Sequence, residues 1–269
     1  MIDLASIRNL IVDMDGVLWL GNQALPGLVE FIDTLRRLGL HFVLATNNAS
    51  KSGTEYIDKL AGFHAKVQPE EILTSSQATA SYLARHSPGA RIYVIGEPGL
   101  ISELRYKGLT VIPTDHPDGA THVVVGWDRN LTYAKLVEAC LLIRSGAAFI
   151  GTNPDVTYPD VRGIIPGNGA TLAALRVATD VEPLIIGKPQ PEMMMQAMLR
   201  MEGTPADTVA LGDRLDTDIV GGQRAGLTTV LVLSGVTSKE VAQASAIKAD
   251  YVFDDICQLG KALELAHQT

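Results

Sequence analysis

Leu10-Ile11-Val12-Asp13-Met14-Asp15-Gly16-Val17 is an apolar run that delivers two carboxylates, one residue apart, to its C-terminal end. A short apolar stretch closed by a turn residue reads as a buried strand. In a strand, residues i and i+2 point to the same side, so Asp13 and Asp15 emerge together, and Gly16 lets the chain turn away behind them. Adjacent carboxylates repel and need a cation or a shared proton. At a strand end, one of the pair can hold a hard divalent ion while the other does chemistry. The triplet alone is equally compatible with a solvated strand-to-loop turn, so its meaning depends on what the other segments bring to it.

The chain has 269 residues, enough for one large or two modest domains, and its 46% apolar and 19% charged composition is that of an ordinary globular protein. The net charge of −8 argues against a general nucleic-acid surface, which needs clustered Lys and Arg, without excluding a local basic pocket. Cys140 and Cys257 stand alone without metal-ligand spacing and are expected to be buried, reduced thiols, which fits a cytoplasmic protein. The segment Met1 to Arg8 carries acidic and basic residues before any apolar run, so it does not read as a signal peptide. No stretch approaches the roughly 18 apolar residues of a membrane span. Neither nucleic acid nor membrane is an expected partner.

Strand-like and helical patterns alternate along the chain. A helix is expected from Pro26 to Gly39, with Leu28, Ile32, Leu35 and Leu38 at helical spacing. The strand His41 to Ala45 follows and ends in Thr46-Asn47-Asn48. The hydroxyls and free N–H groups of the next helix start make a ready anion site there, or an ordinary capping turn. Between about Ser75 and Val181 a second α/β set appears, with strands at Arg91 to Gly96, Thr121 to Trp127 and Ala147 to Gly151. The apolar run Pro183 to Ile186 ends in Gly187-Lys188. Finally Thr208 to Gly212 runs straight into Asp213-Arg214-Leu215-Asp216-Thr217-Asp218, which a charged surface loop explains poorly.

Four strand-like runs therefore end in Asp13/Asp15, Thr46/Asn47, Lys188 and Asp213/Asp218. Open parallel α/β sheets bind ligands beyond the carboxyl ends of their strands, where such tips can converge. Three or four carboxylates placed together require a cation, and oxygen ligands of this kind suit Mg²⁺. Lysine, threonine and backbone amides make a phosphate cradle. Metal, anion site and a spare carboxylate are the parts that phosphoryl transfer requires.

In order and in strand context, these four segments resemble the four motifs of the haloacid dehalogenase superfamily. Within it the chain is similar to the NagD and p-nitrophenyl phosphatase group. Asp-Met-Asp-Gly at 13 to 16, paired with Gly-Asp-Arg-Leu-Asp-Thr-Asp-Ile at 212 to 219, carries the likeness. The resemblance implies Asp13 as a nucleophile that forms an aspartyl-phosphate, and Asp15 as general acid and then base. It implies Mg²⁺ held by Asp13, the backbone carbonyl of Asp15 and Asp213, with Asp218 behind them. It implies Thr46, Asn47, Asn48 and Lys188 around the phosphate of a small phosphomonoester. Asp216 is expected to be structural. A homodimer formed through the cap follows only from the likeness.

The implied fold is α/β, a Rossmann-like, doubly wound, mostly parallel core with a smaller α/β domain inserted. Only 30 residues separate Asp15 from Thr46, enough for one helix and one strand, whereas 141 lie between Thr46 and Lys188. That leaves about 100 residues for a domain, so residues 1–78 and 182–269 are expected to form the core and 79–181 a cap of the class II type. Such a cap closes the site and reads the leaving group, with Trp127, Asp128, Asn153, Asp155 and Tyr158 as candidate readers. A phosphomutase, or a phosphate- or nucleotide-binding module without catalysis, are the competing readings. Nucleotide, sugar phosphate and phosphoglycolate all present the same dianion to such a core.

Overall fold

Asn9–Val12, buried at all four positions, is one of two central strands of a six-stranded sheet in the computed structural model, which describes residues 3–115, 117–160 and 162–268. Met1 and Ile2 of the N-terminal segment lie outside the described residues. Across the sheet the order is Tyr251–Phe253, Thr228–Val232, Thr208–Gly212, Asn9–Val12, His41–Thr46 and Ile72–Thr74. Pairing is parallel from the first of these to His41–Thr46, with Val12 between Leu211 and Leu44. Parallel strands are covered on both faces and so read as continuous apolar runs. That explains why Leu10-Ile11-Val12 and Phe42-Val43-Leu44 announce themselves without alternation.

From Asn9–Val12 the chain steps outward to His41–Thr46 and Ile72–Thr74, then returns to the opposite flank with Thr208–Gly212. The strand order therefore reverses at Asn9–Val12, and the carboxyl ends of the two central strands sit at this switch, where α/β sheets leave a crevice. The helix Leu28–Arg37 covers one face through Leu28, Phe31, Ile32 and Leu35, in a common core with Leu259 and Leu263 of the helix Ile256–His267. Gly27 starts it in the left-handed region, and a Cβ there would strike the Cys257 sulfur.

The chain divides into two compact units. The first holds the described residues through Thr46, Thr54–Leu73 and those from Lys188 onward; the second holds Asn47–Gly53 and Thr74–Gly187. The second unit has its own parallel sheet in the order Leu184–Ile185, Ala148–Gly151, His122–Val125, Arg91–Ile95, Thr110–Val111. Its core contains Tyr93, Val123, Val125, Phe149, Leu172 and Leu175. The segment 79–181 lies inside this unit. The fold is α/β, with a Rossmann-like parallel core and a second α/β domain.

Two expectations are corrected. The run before Lys188 does not belong to the first sheet: Leu184–Ile185 pairs with Ile150 and Gly151, and Gly187 donates its N–H to the Thr152 carbonyl. A four-residue apolar run fixes a strand but not the edge it joins, so Lys188 follows a strand of the other sheet. The two cysteines are free but only half-buried. Each lies on the flank of a helix, and the Cys257 thiol donates to the Pro26 carbonyl at 3.2 Å. Two hairpins carry no signal in the sequence reading: Trp19–Leu20 with Gln23–Ala24, and Thr157–Asp160 with Gly163–Pro166. Among the described residues no helix is long and apolar enough to cross a membrane.

In the second unit, buried Glu97 ties together the loops that follow two neighbouring strands. Its carboxylate accepts from the Arg129 backbone N–H at 2.8 Å, from Nε at 3.3 Å and from Nη2 at 3.1 Å. These hydrogen bonds from Arg129 hold the Glu97 carboxyl below its ordinary range, against the opposing effect of burial. A folded-state pKa below the unfolded one contributes stability that is present above the unfolded value, near 4.3, and is lost as pH falls through the folded value. Glu97→Gln is therefore expected to lower stability by about 1–2 kcal/mol at neutral pH. Thermal melts at pH 7 and at lower pH check this, the gap to wild type closing below pH ~4.

Candidate active site

Beyond Val12 the chain leaves the sheet in one tight turn. The Val17 and Leu18 N–H groups both donate to the Met14 carbonyl, and the Gly16 N–H donates to the Trp19 carbonyl. Gly16 has φ 84°, and a Cβ on it would run into the Asp213 carboxylate, so only glycine meets both demands. The turn leaves Asp13 partly buried beside the sheet and Asp15 exposed.

The neighbouring strand Thr208–Gly212 delivers Asp213, and a π-helical turn at Leu215–Ile219 brings Asp218 back over the strand end. The Arg214 N–H donates to Asp218 Oδ2 at 3.1 Å, and a side chain on Gly212 would collide with Asp218. Asp213 is clasped by the loop after Thr228–Val232: its Oδ2 accepts from the Val236 N–H at 2.6 Å and its carbonyl from the Thr237 N–H at 3.2 Å. A Cβ on Gly235 would displace that carboxylate, and the Ser234 hydroxyl donates to the Gly16 carbonyl at 2.8 Å. Sequence reasoning missed this loop. The available signal was Ser234-Gly235-Val236-Thr237, small and polar residues after a fully buried strand.

Lys188 joins the two central strand ends. Its ammonium donates to Asp13 Oδ1 at 2.5 Å, to Asp218 Oδ1 at 2.7 Å and to the Ala45 carbonyl at 3.2 Å, so three N–H donors meet three acceptors. Lys188 is 2% exposed. Burial works against its charge, but Asp13 and then Asp218 outweigh it and raise the lysine above its usual pKa. Burial pushes the Asp13 carboxyl well above the carboxylate range despite Lys188, with Asp218 and Asp213 adding to the rise. Asp213 is pushed up to about 6, chiefly by burial and then by Asp218. One carboxylate oxygen from each of Asp13, Asp213 and Asp218 lies within 4.8 Å of the others. Asp213 Oδ1 is buried and accepts no hydrogen bond.

The structure thus brings Asp13, Lys188, Asp213 and Asp218 together in the first unit, with buried Thr46 ending the strand whose Ala45 carbonyl Lys188 reaches. Asn47 and Asn48 belong to the second unit. The Asn47 amide donates to Asp155 Oδ1 at 3.1 Å, and Asn153 donates to the Asn47 carbonyl at 2.8 Å. Asn48 Oδ1 accepts from the Ser50 N–H and hydroxyl, and its amide approaches the Tyr158 hydroxyl at 3.5 Å. Tyr158 stacks on Trp127 with centroids 4.4 Å apart, while Asp128 pairs with Lys135 at 2.6 Å. Asp216 stays outside the cluster, paired with Arg214 at 2.9 Å.

Chemically, the cluster is an electronegative pocket holding one buried cation and one uncommitted oxygen, a donor set suited to a hard metal ion. Residues 10–110 match the haloacid dehalogenase-like hydrolase family, and residues 185–259 match the HAD-hydrolase-like family. The chain is 38% identical over 254 residues to an acid sugar phosphatase of Staphylococcus aureus, covering 94% of this chain and 97% of the relative. Among solved structures it is similar to a 4-nitrophenylphosphatase of Thermotoga maritima, with TM-score 0.92, 34% identity and coverage of 97% and 98% of the two chains. It is also similar to NagD of E. coli, with TM-score 0.87, 35% identity and coverage of 94% and 98%. With relatives of this identity matched along nearly their whole length, the chain belongs to the haloacid dehalogenase-like hydrolases.

Proposed function

We propose that this phosphatase hydrolyses the phosphate monoesters of small metabolites, sugar phosphates foremost, with Asp13 as nucleophile and Asp15 as proton donor and acceptor. The observation that carries the mechanism is the buried Asp13–Lys188–Asp218 ion cluster with the unpartnered Asp213 oxygen beside it. The similarity to an acid sugar phosphatase supports the choice of sugar phosphates, and the similarity to 4-nitrophenylphosphatase makes p-nitrophenyl phosphate the convenient assay substrate.

The residues fit a hard divalent cation. Three carboxylates face one lysine, burial raises the proton affinity of Asp13 and Asp213, and Asp213 Oδ1 has no donor. Asp13, Asp213 and the backbone carbonyl of Asp15 would hold Mg²⁺, with Asp218 occupied by Lys188 and the Arg214 N–H behind them. Bound there, the ion would neutralise charge on the phosphoryl oxygens and keep the carboxylates ionised.

Asp13 attacks phosphorus, forming a bond from its carboxylate oxygen as the ester bond breaks and the ester oxygen takes a proton from Asp15. Asp15, now a carboxylate, takes a proton from water as that water attacks the aspartyl-phosphate, releasing phosphate and free Asp13. Lys188 and Thr46 receive the transferred phosphoryl group, Lys188 holding the Asp13 oxygen in place throughout. The second unit, with Trp127, Asp155 and Tyr158, we assign to reading the leaving group as a cap.

Phosphate release from p-nitrophenyl phosphate and from a sugar phosphate panel tests this reading. Asp13→Asn is expected to lower kcat by about 10⁴-fold or more, and Asp15→Asn by about 10²–10⁴-fold on alkyl phosphates. Burst measurements should show no phosphoryl-enzyme in Asp13→Asn. Chelation is expected to abolish turnover and Mg²⁺ to restore it. In thermal melts Mg²⁺ should stabilise wild type and leave Asp213→Asn unmoved. Turnover that survives both chelation and Asp13→Asn would overturn the mechanism.

A further inference from the structure

Asp15 is the one acid of the site that is exposed, yet its carboxylate is anchored: the Trp19 indole Nε1–H donates to Asp15 Oδ1 at 2.7 Å. The separation of four residues is spanned by the tight turn that begins at Met14, so the indole returns beneath the carboxylate. Trp19 is wholly buried. Its ring stacks on Tyr56, with centroids 6.3 Å apart and planes 18° apart, and lies 6.0 Å from Phe63. The Lys59 ammonium sits 4.1 Å over the ring and donates to the Gly21 carbonyl at 2.8 Å. Aromatic and cation–π contacts on its faces leave the indole no room to swing, and its N–H direction is set by the core.

Resting on the reading of Asp15 as acid and base, we propose that Trp19 is a positioning residue that reserves Oδ1 of Asp15 as an acceptor and so confines the transferable proton to Oδ2. The indole nitrogen is a donor only. A proton on Oδ1 would set O–H against N–H, two donors face to face, whereas a proton on Oδ2 leaves the indole bond intact. In the first half-reaction the Oδ2 proton passes to the ester oxygen, which keeps the electron pair of the broken P–O bond. In the second, water gives its proton to Oδ2 while its oxygen bonds phosphorus and the Asp13–phosphorus bond breaks. Oδ1 accepts from Trp19 throughout, so the exposed carboxyl presents the same oxygen each time.

The test compares kcat/KM for p-nitrophenyl phosphate, whose phenolate leaves without protonation, with that for the alkyl phosphate that wild type turns over fastest. Trp19→Phe keeps a ring and removes the N–H. Replacement of Trp19 by 3-benzothienylalanine keeps the bicyclic shape and removes only the N–H, which preserves the test if the Phe variant fails to fold. The expected result is a fall at least tenfold greater for the alkyl phosphate than for p-nitrophenyl phosphate. Equal falls for both substrates would mark Trp19 as merely structural, and no fall in either, with Asp15→Asn inactive on the alkyl phosphate, would overturn the proposal. Alkyl phosphate turnover surviving in Asp15→Asn would remove the acid–base reading and this proposal with it.

Discussion

The buried ammonium of Lys188 is the charge on which the site depends. Taking a lysine out of water is costly, and the cost is offset only where good geometry and full hydrogen bonding return it. Here every N–H has an acceptor, two of them carboxylates. Burial foremost, and beside it the neighbouring carboxylates, raise the proton affinities of Asp13 and Asp213. Such a cluster is settled either by protons or by a cation. Under the proposed function a cation serves better, because a positive charge that ionises Asp13 would also receive the phosphoryl oxygens.

Steric exclusion holds the acids at these distances as much as attraction does. Gly16, Gly212 and Gly235 each lie where a Cβ would strike Asp213 or Asp218, so backbone from three separate strand ends closes directly on the carboxylates. The Ser234 hydroxyl then links two of these ends through the Gly16 carbonyl. The parallel sheet makes this possible: Asn9–Val12 and Thr208–Gly212 run side by side with Val12 opposite Leu211, so Asp13 and Asp213 leave adjacent strands one residue apart in level. An acid anchored by backbone in this way cannot move without moving its strand, which is how a charged cluster remains preorganised.

The two carboxylates of the opening motif are treated in opposite ways. Asp13 is withdrawn among charges, in keeping with the nucleophilic role proposed for it, while Asp15 stays in solvent and takes its orientation from one indole N–H. The second unit also buries neutral amides. Asn47, Asn153 and Asn168 form a buried set of amide contacts around strand ends of its own sheet, with Asn168 donating to the Val125 and Asn153 carbonyls. Burying neutral amides costs less than burying charges, and of this set Asn168 Oδ1 is left without a hydrogen-bond partner.

Much of this protein is legible along the chain. The buried parallel strands appear as apolar runs because both their faces are covered, and the acids of 13 to 15 and 213 to 218 stand out because they follow such runs directly. Helix Leu28–Arg37 shows in its spacing and in its flanking Pro26 and Gly39. These are local properties, carried by covalent neighbours and by period. Three things were not legible. Leu184–Ile185 was assigned to the wrong sheet because an apolar run does not name its partner. The clasp of Ser234-Gly235-Val236-Thr237 around Asp213 was missed because backbone N–H groups are the same in every residue. The Trp19–Asp15 bond was missed because a tryptophan beside a strand reads first as core. The sequence alone determined the α/β class and the chemical identity of the acids and the lysine, whereas only the tertiary structure decided which acid Lys188 neutralises, which oxygen is left without a donor and which carboxylate the indole holds. Hydrogen bonds and charge pairs form between atoms within about 3 Å of each other, and that proximity is a property of the folded chain.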